Sequence, residues 1–540
     1  MQKFPNKGSG GKNMAFSDNI YRLRKTNGMS EEGFAHLFGV SEEDIRAWES
    51  GSSYPEKETL FRIANHFGMT CDDLLIKNAY TDYDLPRGKE ILPDFDPVDI
   101  ADSYTKSLIY EYVQNIREGR DAEKYNKVLL AIRKMPPGIH REKMADILFE
   151  ALQNCRMRDD YRFIEPSDLE NIKKLRKPYA FNRKELDENT LRDKIKGAWL
   201  GRICGCLLGK PIEGITFEEI ESLLKETNNY PMNRYIKASE ITDEMCKRYK
   251  YPLRGRCFAD TIKRAPWDDD TNYVVMAQCL LEKYGRDFTP DDMVKNWLAL
   301  QGINSYYTAE HVAFRNFVNG YRPPFSAVYK NPYREMIGAQ IRGDYFGYIN
   351  PGNPEKAAEM AWRDACISHV KNGIYGEMFV AAMIACAAVT DNVEDIVRGG
   401  LAEIPETSRL YDKITRVIED YKNGVSRLEA YAKVKEEYPI KDSDSWLHTI
   451  SNASVVVIGL LYGEGDFGKS ICGAVEIGYD TDCNGATVGS VIGMRNGTAG
   501  IGEEWTKPTG GKLETTIFGM DVLDLDEAAE KTMKHLPQKN

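Results

Sequence analysis

Glycine recurs every fourth residue in two stretches of this 540-residue chain, at Gly197, Gly201, Gly205 and Gly209 and again at Gly485, Gly489, Gly493 and Gly497. In a helix that spacing lines each set along one face. A glycine inside a helix costs roughly 1 kcal/mol relative to alanine, so eight of them call for a compensation, and the natural one is a second backbone approaching closely. Membrane helices with small-residue faces do not fit. Lys196, Arg202 and Lys210 interrupt the first stretch and Arg495 the second, and neither reaches roughly eighteen uninterrupted apolar residues. The pattern predicts tightly packed core helices of a soluble protein.

Beside each glycine stretch lies an acidic run that opens a helix-like segment: Trp267-Asp268-Asp269-Asp270-Thr271, and Gly478-Tyr479-Asp480-Thr481-Asp482-Cys483-Asn484. Asp and Thr are ordinary helix caps, and acids suit the positive end of a helix dipole. Apolar periodicity through Val274, Ala277, Leu281 and Tyr284 supports a helix after the first run. Capping accounts for one or two aspartates there but not for three in a row. Crowded carboxylates repel one another unless a cation neutralises them. Five aspartates with threonine hydroxyls nearby suit magnesium or manganese, which take oxygen ligands, better than any cysteine or histidine cluster in the chain. If the two runs meet in space, the chain is an enzyme.

The order G-A-W-L-G-R-I-C-G-C-L-L-G-K-P-I-E-G, D-D-D-T, S-H-V-K-N-G-I-Y-G and D-T-D-C-N-G-A-T-V-G, between about Leu191 and Trp505, resembles the ADP-ribosylglycohydrolase family. The resemblance implies an all-α fold, a two-magnesium site (manganese being the alternative), and removal of ADP-ribose from modified side chains or related acceptors. By position it makes Asp269, Asp270, Asp480 and Asp482 metal ligands, with Asp268 standing where the family more often has threonine. Cys483 follows them in place of the usual threonine and is counted with the metal set, although a thiol is a poor partner for magnesium. Cys206 occupies a position where many relatives carry aspartate. Glu213 matches the acidic residue near the scissile bond, and His369, with Asn372, lies in a loop that contacts ligand. Asn304 and Arg342, in further loops of the same domain, are additional substrate-binding candidates. A lone histidine is more often a satisfied core residue, and an arginine such as Arg342 more often makes a surface salt bridge than a phosphate clamp.

The chemistry of such a site can be argued on its own terms. Cleavage at ribose C1 passes through an oxocarbenium-like state, helped by a carboxylate that handles a proton and by groups that orient water. Glu213 is the candidate for the first role, its bland alternative being an exposed helix-end residue.

From Ile20 to Leu75 the sequence resembles a helix-turn-helix domain of the phage-repressor type, with Gly39 in the turn. Its core candidates are Leu23, Phe34, Leu37, Val40, Ile45, Trp48, Leu60, Ile63, Ala64 and Phe67. The helix expected to enter the major groove, Ser41 to Ser50, holds four acids and one base, Arg46. Residues 1–78 hold ten Lys or Arg against eleven Asp or Glu, whereas a DNA reader usually presents a basic patch. DNA binding, with Arg22, Arg24, Arg46, Lys3, Lys7 and Lys12 as phosphate contacts, therefore stands beside a protein-interaction or dimerisation role.

These readings give an all-α chain: a disordered leader (1–17, with Met14 as a candidate natural start), a five-helix helix-turn-helix domain (18–78), a polar linker (79–98), a helical connector (99–185) and a large all-helical catalytic domain (190–535). Eleven cysteines, an odd count without a C-x-x-C pair, and no apolar signal segment point to reduced thiols in the cytoplasm. A net charge of −11 disfavours broad nucleic-acid or anionic-membrane binding. The leading expectation is a magnesium-dependent hydrolase acting at ribose C1 of an ADP-ribosylated protein, nucleic acid or small molecule. The alternatives are a nucleoside or ribosyl hydrolase on a smaller metabolite, and a regulator that senses an ADP-ribose-type ligand.

Overall fold

The computed structural model describes residues 14–75, 103–249, 251–440 and 445–538; most of the expected leader and the 79–98 linker lie outside them. Contacts divide the chain into two units, residues 1–92 and 93–540.

The first unit consists, among its described residues, of helices Met14–Thr26, Glu31–Phe38, Glu42–Glu49, Lys57–His66 and Cys71–Leu75. The first begins inside the stretch expected to be leader. Ser30 caps the second helix by accepting from the Gly33 amide, and Gly39 closes it at φ 63°, a left-handed turn that glycine adopts without strain. Ser41 and Asp44 form a reciprocal capping box at the start of the third helix. Leu37 is 41% exposed and is not core; its neighbour Phe38 points inward instead. Val40 and Phe67 are only partly buried.

In the second unit the two glycine stretches form helices Glu188–Gly209 and Thr481–Asn496. They run antiparallel in a four-residue register: Gly197 faces Gly493, Gly201 faces Gly489, Gly205 faces Gly485, and Gly209 faces Thr481. A β-carbon added at Gly205 would lie 1.9 Å from the Gly485 carbonyl oxygen, and one at Gly201 would lie 2.1 Å from that of Gly489. The backbones touch along the whole crossing, which is the compensation the glycines require. The register also sets the C-terminus of the first helix against the N-terminus of the second, where Thr481 Oγ1 donates to Gly209 O at 2.9 Å.

Helices Lys371–Ala387 and Thr449–Gly463, buried almost throughout, complete the centre. The helix starting at Lys371 takes most of the S-H-V-K-N-G-I-Y-G motif into its first turns. One antiparallel hairpin, Lys512–Ile517 with Met520–Asp524, interrupts the all-α architecture. The helix that follows, Leu525–Lys534, packs on the first glycine helix, where Trp199 Nε1 donates to Thr532 Oγ1 at 3.0 Å.

The connector (helices Tyr104–Arg117, Asn126–Arg133 and Ile139–Gln153) belongs to this unit and is fastened to it by buried charge. Arg334 donates to Glu111 at 2.8 Å and to Glu118 at 2.7 Å, Lys371 reaches Glu118 at 3.0 Å, and Gln114 donates to Glu335 at 2.6 Å. Arg409 joins Glu335 to Glu165 at 2.7 and 2.8 Å. Burial alone would raise the Glu118 carboxyl; the charges of Arg334 and Lys371 outweigh it and bring it down to about 2. Glu335 is lowered further, burial being outweighed chiefly by Arg409.

Two outcomes follow from this architecture. Gly205→Ala should lower stability by about 1–3 kcal/mol despite alanine's better helix propensity, because the backbone opposite cannot yield; an unchanged urea midpoint would disprove the contact. The depressed glutamates give stability that is complete above their ordinary value near 4.5 and is lost as pH falls from there towards 2. Arg409→Met, which strands Glu165 and Glu335, should cost about 3–5 kcal/mol at neutral pH, and the deficit should shrink in an acid titration of unfolding over that window.

Candidate metal and active site

The glycine register decides where the second acidic run lies. Gly209 ends the first helix, Lys210–Ile212 makes one further turn, and Glu213 follows it, beside Asp480 and Asp482 at the start of the second helix. The first run is brought in by Arg202, which is on the same glycine helix and fully buried. Its Nε and Nη2 donate to Asp270 O at 3.0 and 2.8 Å, Nη2 pairs with Asp270 Oδ1 at 3.1 Å, and Nη1 lies 2.9 Å from Asp344 Oδ1.

The two runs therefore meet. Among the described residues, three sets of side chains converge closely enough to hold a metal ion: Glu213 with Asp480 and Asp482, Asp270 with Asp482 and Cys483, and Cys206 with Asp268 and Asp270. Within each set the ligand atoms lie within 4.8 Å of one another. Asp269 is half-buried and belongs to none of the three. Capping explains only part of the arrangement: Asp268 Oδ1 accepts from the Asp270 amide at 3.1 Å, while Asp480 makes no side-chain cap. Asp270 Oδ2 is buried without a hydrogen-bond partner.

The electrostatics are those of crowded acid. Burial, and then the neighbouring charge of Asp482, raises Asp480 well above the usual carboxylate range, and burial does the same to Asp270 although Arg202 opposes it. Asp268 goes the other way, since its ion pair with Lys210 outweighs burial. Glu213 is exposed to solvent at the cleft, and the charge of Asp482 above all, with that of Asp268, pushes it up to about 8. It lies on an open cleft of about 570 Å³ lined by Lys210, Gly214, Arg256, Cys257 and Trp446. Arg256 Nη1 donates to the carbonyls of Pro211 and Glu213 at 3.0 and 3.1 Å, fixing the turn that presents the glutamate.

Other sequence candidates are placed differently. Arg342 is not a phosphate clamp. It is 1% exposed, donates to Glu310 at 2.7 Å and Asp364 at 3.2 Å, lies 3.5 Å from Glu377, and rests over the Trp297 and Tyr273 rings. Asn372 is spent on the fold: Nδ2 donates to Glu165 and Glu335 at 2.7 and 2.8 Å, and Oδ1 accepts from the Leu410 amide at 3.0 Å. His369 is fully buried, its Nδ1 2.8 Å from Ser368 Oγ; burial and then Arg342 keep it neutral by lowering its pKa well below the ordinary value. Asn304 is exposed, in the turn Ile303–Ser305.

Several residues of the site escape a reading by motif. Arg202 and Lys210 register in the sequence as charges that break an apolar stretch, not as partners of aspartates 68 and 58 residues further along the chain. Asn452 gives no signal at all. Its Oδ1 accepts from the Asp480 amide at 3.2 Å and from Asn484 at 2.8 Å, while Nδ2 donates to the Trp446 and His448 carbonyls at 2.8 and 3.0 Å. It thus ties the second acidic turn to the cleft wall.

In the helix-turn-helix unit, Arg24 is buried and bidentate to Glu49, at 2.6 and 2.7 Å, and is unavailable to phosphate. Arg46 is exposed but paired with Glu31 at 2.9 Å and Glu42 at 3.3 Å. Arg22 is half-buried. Lys3, Lys7 and Lys12 lie outside the described residues.

The ADP-ribosylglycohydrolase family model matches residues 187–537, and a helix-turn-helix model matches residues 20–74. An uncharacterized protein of Archaeoglobus fulgidus is 22% identical over 320 residues, which is 58% of this chain and 91% of that protein. The HTH-type transcriptional activator BcrR of Enterococcus faecalis is 37% identical over 62 residues, 12% of this chain and 30% of that protein. A solved structure titled ADP-ribosylglycohydrolase-related protein complex is similar at TM-score 0.37 and 18% identity, over 64% of this chain and 98% of its own. The chain belongs to the ADP-ribosylglycohydrolase family, whose members are divalent-metal-dependent glycosidases, and carries that domain behind a helix-turn-helix unit. Among the described residues no helix is long and apolar enough to cross a membrane.

Asn452→Ala removes the acceptor that orients Asp480 without touching a carboxylate. It should weaken divalent-metal binding by about tenfold or more while leaving the melting temperature within a few degrees, measured by calorimetric titration and circular dichroism; metal affinity equal to wild type would remove Asn452 from the site.

Proposed function

We propose that this chain is a magnesium-dependent hydrolase that cleaves the glycosidic bond at ribose C1 of an ADP-ribosylated macromolecule or small molecule. The observation that carries the reading is the convergence of Glu213, Asp480 and Asp482 beside an open cleft. This all-oxygen set fits a hard cation, and Asp480 and Asp482 are the residues we assign to hold it. When bound, such an ion binds ribose hydroxyls and supplies an acidified water. The remaining roles belong to the protein. Glu213, at the cleft mouth, handles the proton of the leaving group or of the attacking water. Lys210 neutralises Asp268 and holds the first run in place. Arg256 and Trp446 line the side from which substrate enters, the first suited to a phosphate and the second to an aromatic base.

The helix-turn-helix unit is proposed to bring this activity to DNA, the likeness to a protein named as a transcriptional activator being the support. The pairing of Arg24 and Arg46 with glutamates argues for few phosphate contacts and therefore a shallow salt dependence.

The test is release of ADP-ribose from arginine-, serine- and DNA-linked substrates with magnesium or with chelator. Metal-dependent release, abolished in Asp480→Asn, is expected. Glu213→Gln should lower kcat by about 10²–10⁴-fold with metal binding retained; loss of metal instead would make Glu213 a ligand. Absence of release from every linkage by the folded protein would reject the reading in favour of a smaller ribosyl substrate or a ligand-sensing regulator.

A further inference from the structure

A second cavity of about 570 Å³ opens between the connector and the catalytic body, and it shares no lining residue with the Glu213 cleft. Both of its walls belong to the second unit. The connector supplies one; the end of helix Thr308–Val318 and the segment that follows it supply the other. Small-molecule sites commonly enclose roughly 300–1,000 Å³, so the space suits a ligand of nucleotide size.

One half of this cavity suits an anion. Ser103 is the N-cap of the 14-residue helix Tyr104–Arg117 and makes no side-chain cap, and Ser103 and Tyr104 both line the cavity. The positive end of a long helix is thus set into its wall. Across from it stands Lys330, whose ammonium pairs with Asp146 at 2.5 Å and lies 5.6 and 5.3 Å from the ring centroids of Tyr104 and Tyr329. An ammonium has three donors, and one carboxylate does not exhaust them. Lys330 also holds φ 50°, a left-handed conformation that is unfavourable outside glycine, so its place is imposed by its surroundings. Tyr104 is 6% exposed and its hydroxyl has no hydrogen-bond partner among the described residues. A buried hydroxyl left in that state is costly, and the cavity beside it is where a partner can arrive.

The other half suits a flat ring. The Tyr321 and Tyr329 rings lie 4.6 Å apart, and the half-exposed Phe325 ring is 5.4 Å from each. Such a cluster offers faces on which a heterocycle stacks. Asn316 fixes the segment that carries it, donating from Nδ2 to the Ser326 and Tyr329 carbonyls at 2.8 Å. Two exposed polar side chains on the rim can meet the edge of a base or a ribose hydroxyl: Asn319, and Glu142, whose Oε1 accepts from Thr105 Oγ1 at 2.9 Å.

We propose that this seam is a nucleotide-binding site, with a phosphate against the start of helix Tyr104–Arg117 and Lys330 and the base on Tyr321 and Tyr329. The ligand bridges the connector and the catalytic body and therefore clamps the segment that joins the helix-turn-helix unit to the hydrolase-like domain in the chain. Helix Thr308–Val318 carries the effect inward: Asn316 near its end lines the cavity, and Glu310 in its first turn holds the buried Arg342. The site uses none of the acidic cluster and acts as an effector site whether or not the domain turns over.

The experiment uses the full chain, treated with chelator so that metal-assisted binding at the cleft is absent, and titrated calorimetrically with AMP, ADP-ribose and inorganic pyrophosphate. AMP or ADP-ribose should bind one to one with a dissociation constant below about 1 mM, and the tighter of the two tells whether the natural ligand is a free nucleotide or an ADP-ribose. Affinity should fall about tenfold or more in Tyr321→Ala through lost stacking and in Lys330→Met through the lost charge. It should stay within a few-fold of wild type in Glu213→Gln and Asp480→Asn. Asn319→Asp sets a negative charge at an exposed position and should weaken binding as well, which keeps the test decisive if Tyr321→Ala does not fold. Absence of saturable binding, pyrophosphate bound as tightly as AMP, or affinity lost in Asp480→Asn but unchanged in Asn319→Asp and Lys330→Met would overturn the proposal. ADP-ribose release is scored separately: binding here without release leaves this site standing and rejects the hydrolase, whereas release without binding here does the reverse.

Discussion

The rest of this domain depends on the contact between two glycine-faced backbones. Helices of ordinary composition pack about 8–10 Å apart because side chains stand between them. Here no β-carbon could be admitted at Gly201, Gly205, Gly485 or Gly489 without meeting a carbonyl at about 2 Å. So close an approach has two consequences. It forfeits the side-chain burial that normally stabilises a helix pair, so the crossing relies on dense backbone packing and on the apolar helices around it. It also removes freedom of register, because a slip by one residue would place Ala198, Arg202 or Cys206 where only glycine fits. The position of every group on either helix is therefore fixed relative to every group on the other.

Chemistry exploits that fixity at the end of the crossing. Metal centres built from crowded carboxylates are electrostatically unfavourable in the absence of their ions, and a loop would open to relieve the repulsion. Asp480 and Asp482 cannot withdraw, because Thr481 between them is held against Gly209 and the Asp480 amide is held by Asn452. Nor can Asp270, anchored through its own carbonyl to Arg202. Rigid helices rather than loops carry the repelling groups, which is the arrangement that keeps a metal site organised before the ion arrives. The connector adds to this support from the other side. Its buried glutamates grip Arg334 and Lys371, the latter at the start of the central helix and the former immediately before Glu335, whose carbonyl accepts from the Thr449 amide at 3.1 Å. A segment whose sequence showed only helical periodicity thus acts as a brace for the two central helices.

Much of the architecture is legible in the sequence because it rests on local rules with strong exceptions attached. Eight interior glycines at a fixed spacing have few physical explanations, and close helix packing is one. Two acidic runs at helix starts are likewise hard to account for by capping, and the structure uses only Asp268 for a clear side-chain cap. What could not be read was pairing across long separations. Arg342 and Arg24 carry the same side chain as any phosphate-binding arginine; what distinguishes them is that Glu310, Asp364 and Glu377, or Glu49, lie opposite in the folded chain. Asn372 and His369 share this limit. Their motif places them near the centre of the domain, yet three-dimensional neighbours absorb the hydrogen bonds of one and the accessible surface of the other. Leu37 fails for a more local reason: adjacent apolar residues on a short helix differ by 100° in direction, and only Phe38 falls on the inner side.

The two cysteines show how far a substitution can be interpreted once its surroundings are known. In the sequence, Cys206 and Cys483 stand as departures from the usual oxygen ligands and weaken the case for two equivalent magnesium ions. In the structure they are not scattered losses, because both lie against Asp270, from opposite helices, in the most enclosed part of the cluster. Each thiol meets Asp270 within a separate group of three side chains, so the inner end of the cluster differs in donor chemistry from the all-oxygen outer end. The glycine contact makes such a difference in donor set possible without change of fold, since the backbone that presents these side chains is fixed by packing and only the side-chain atoms differ.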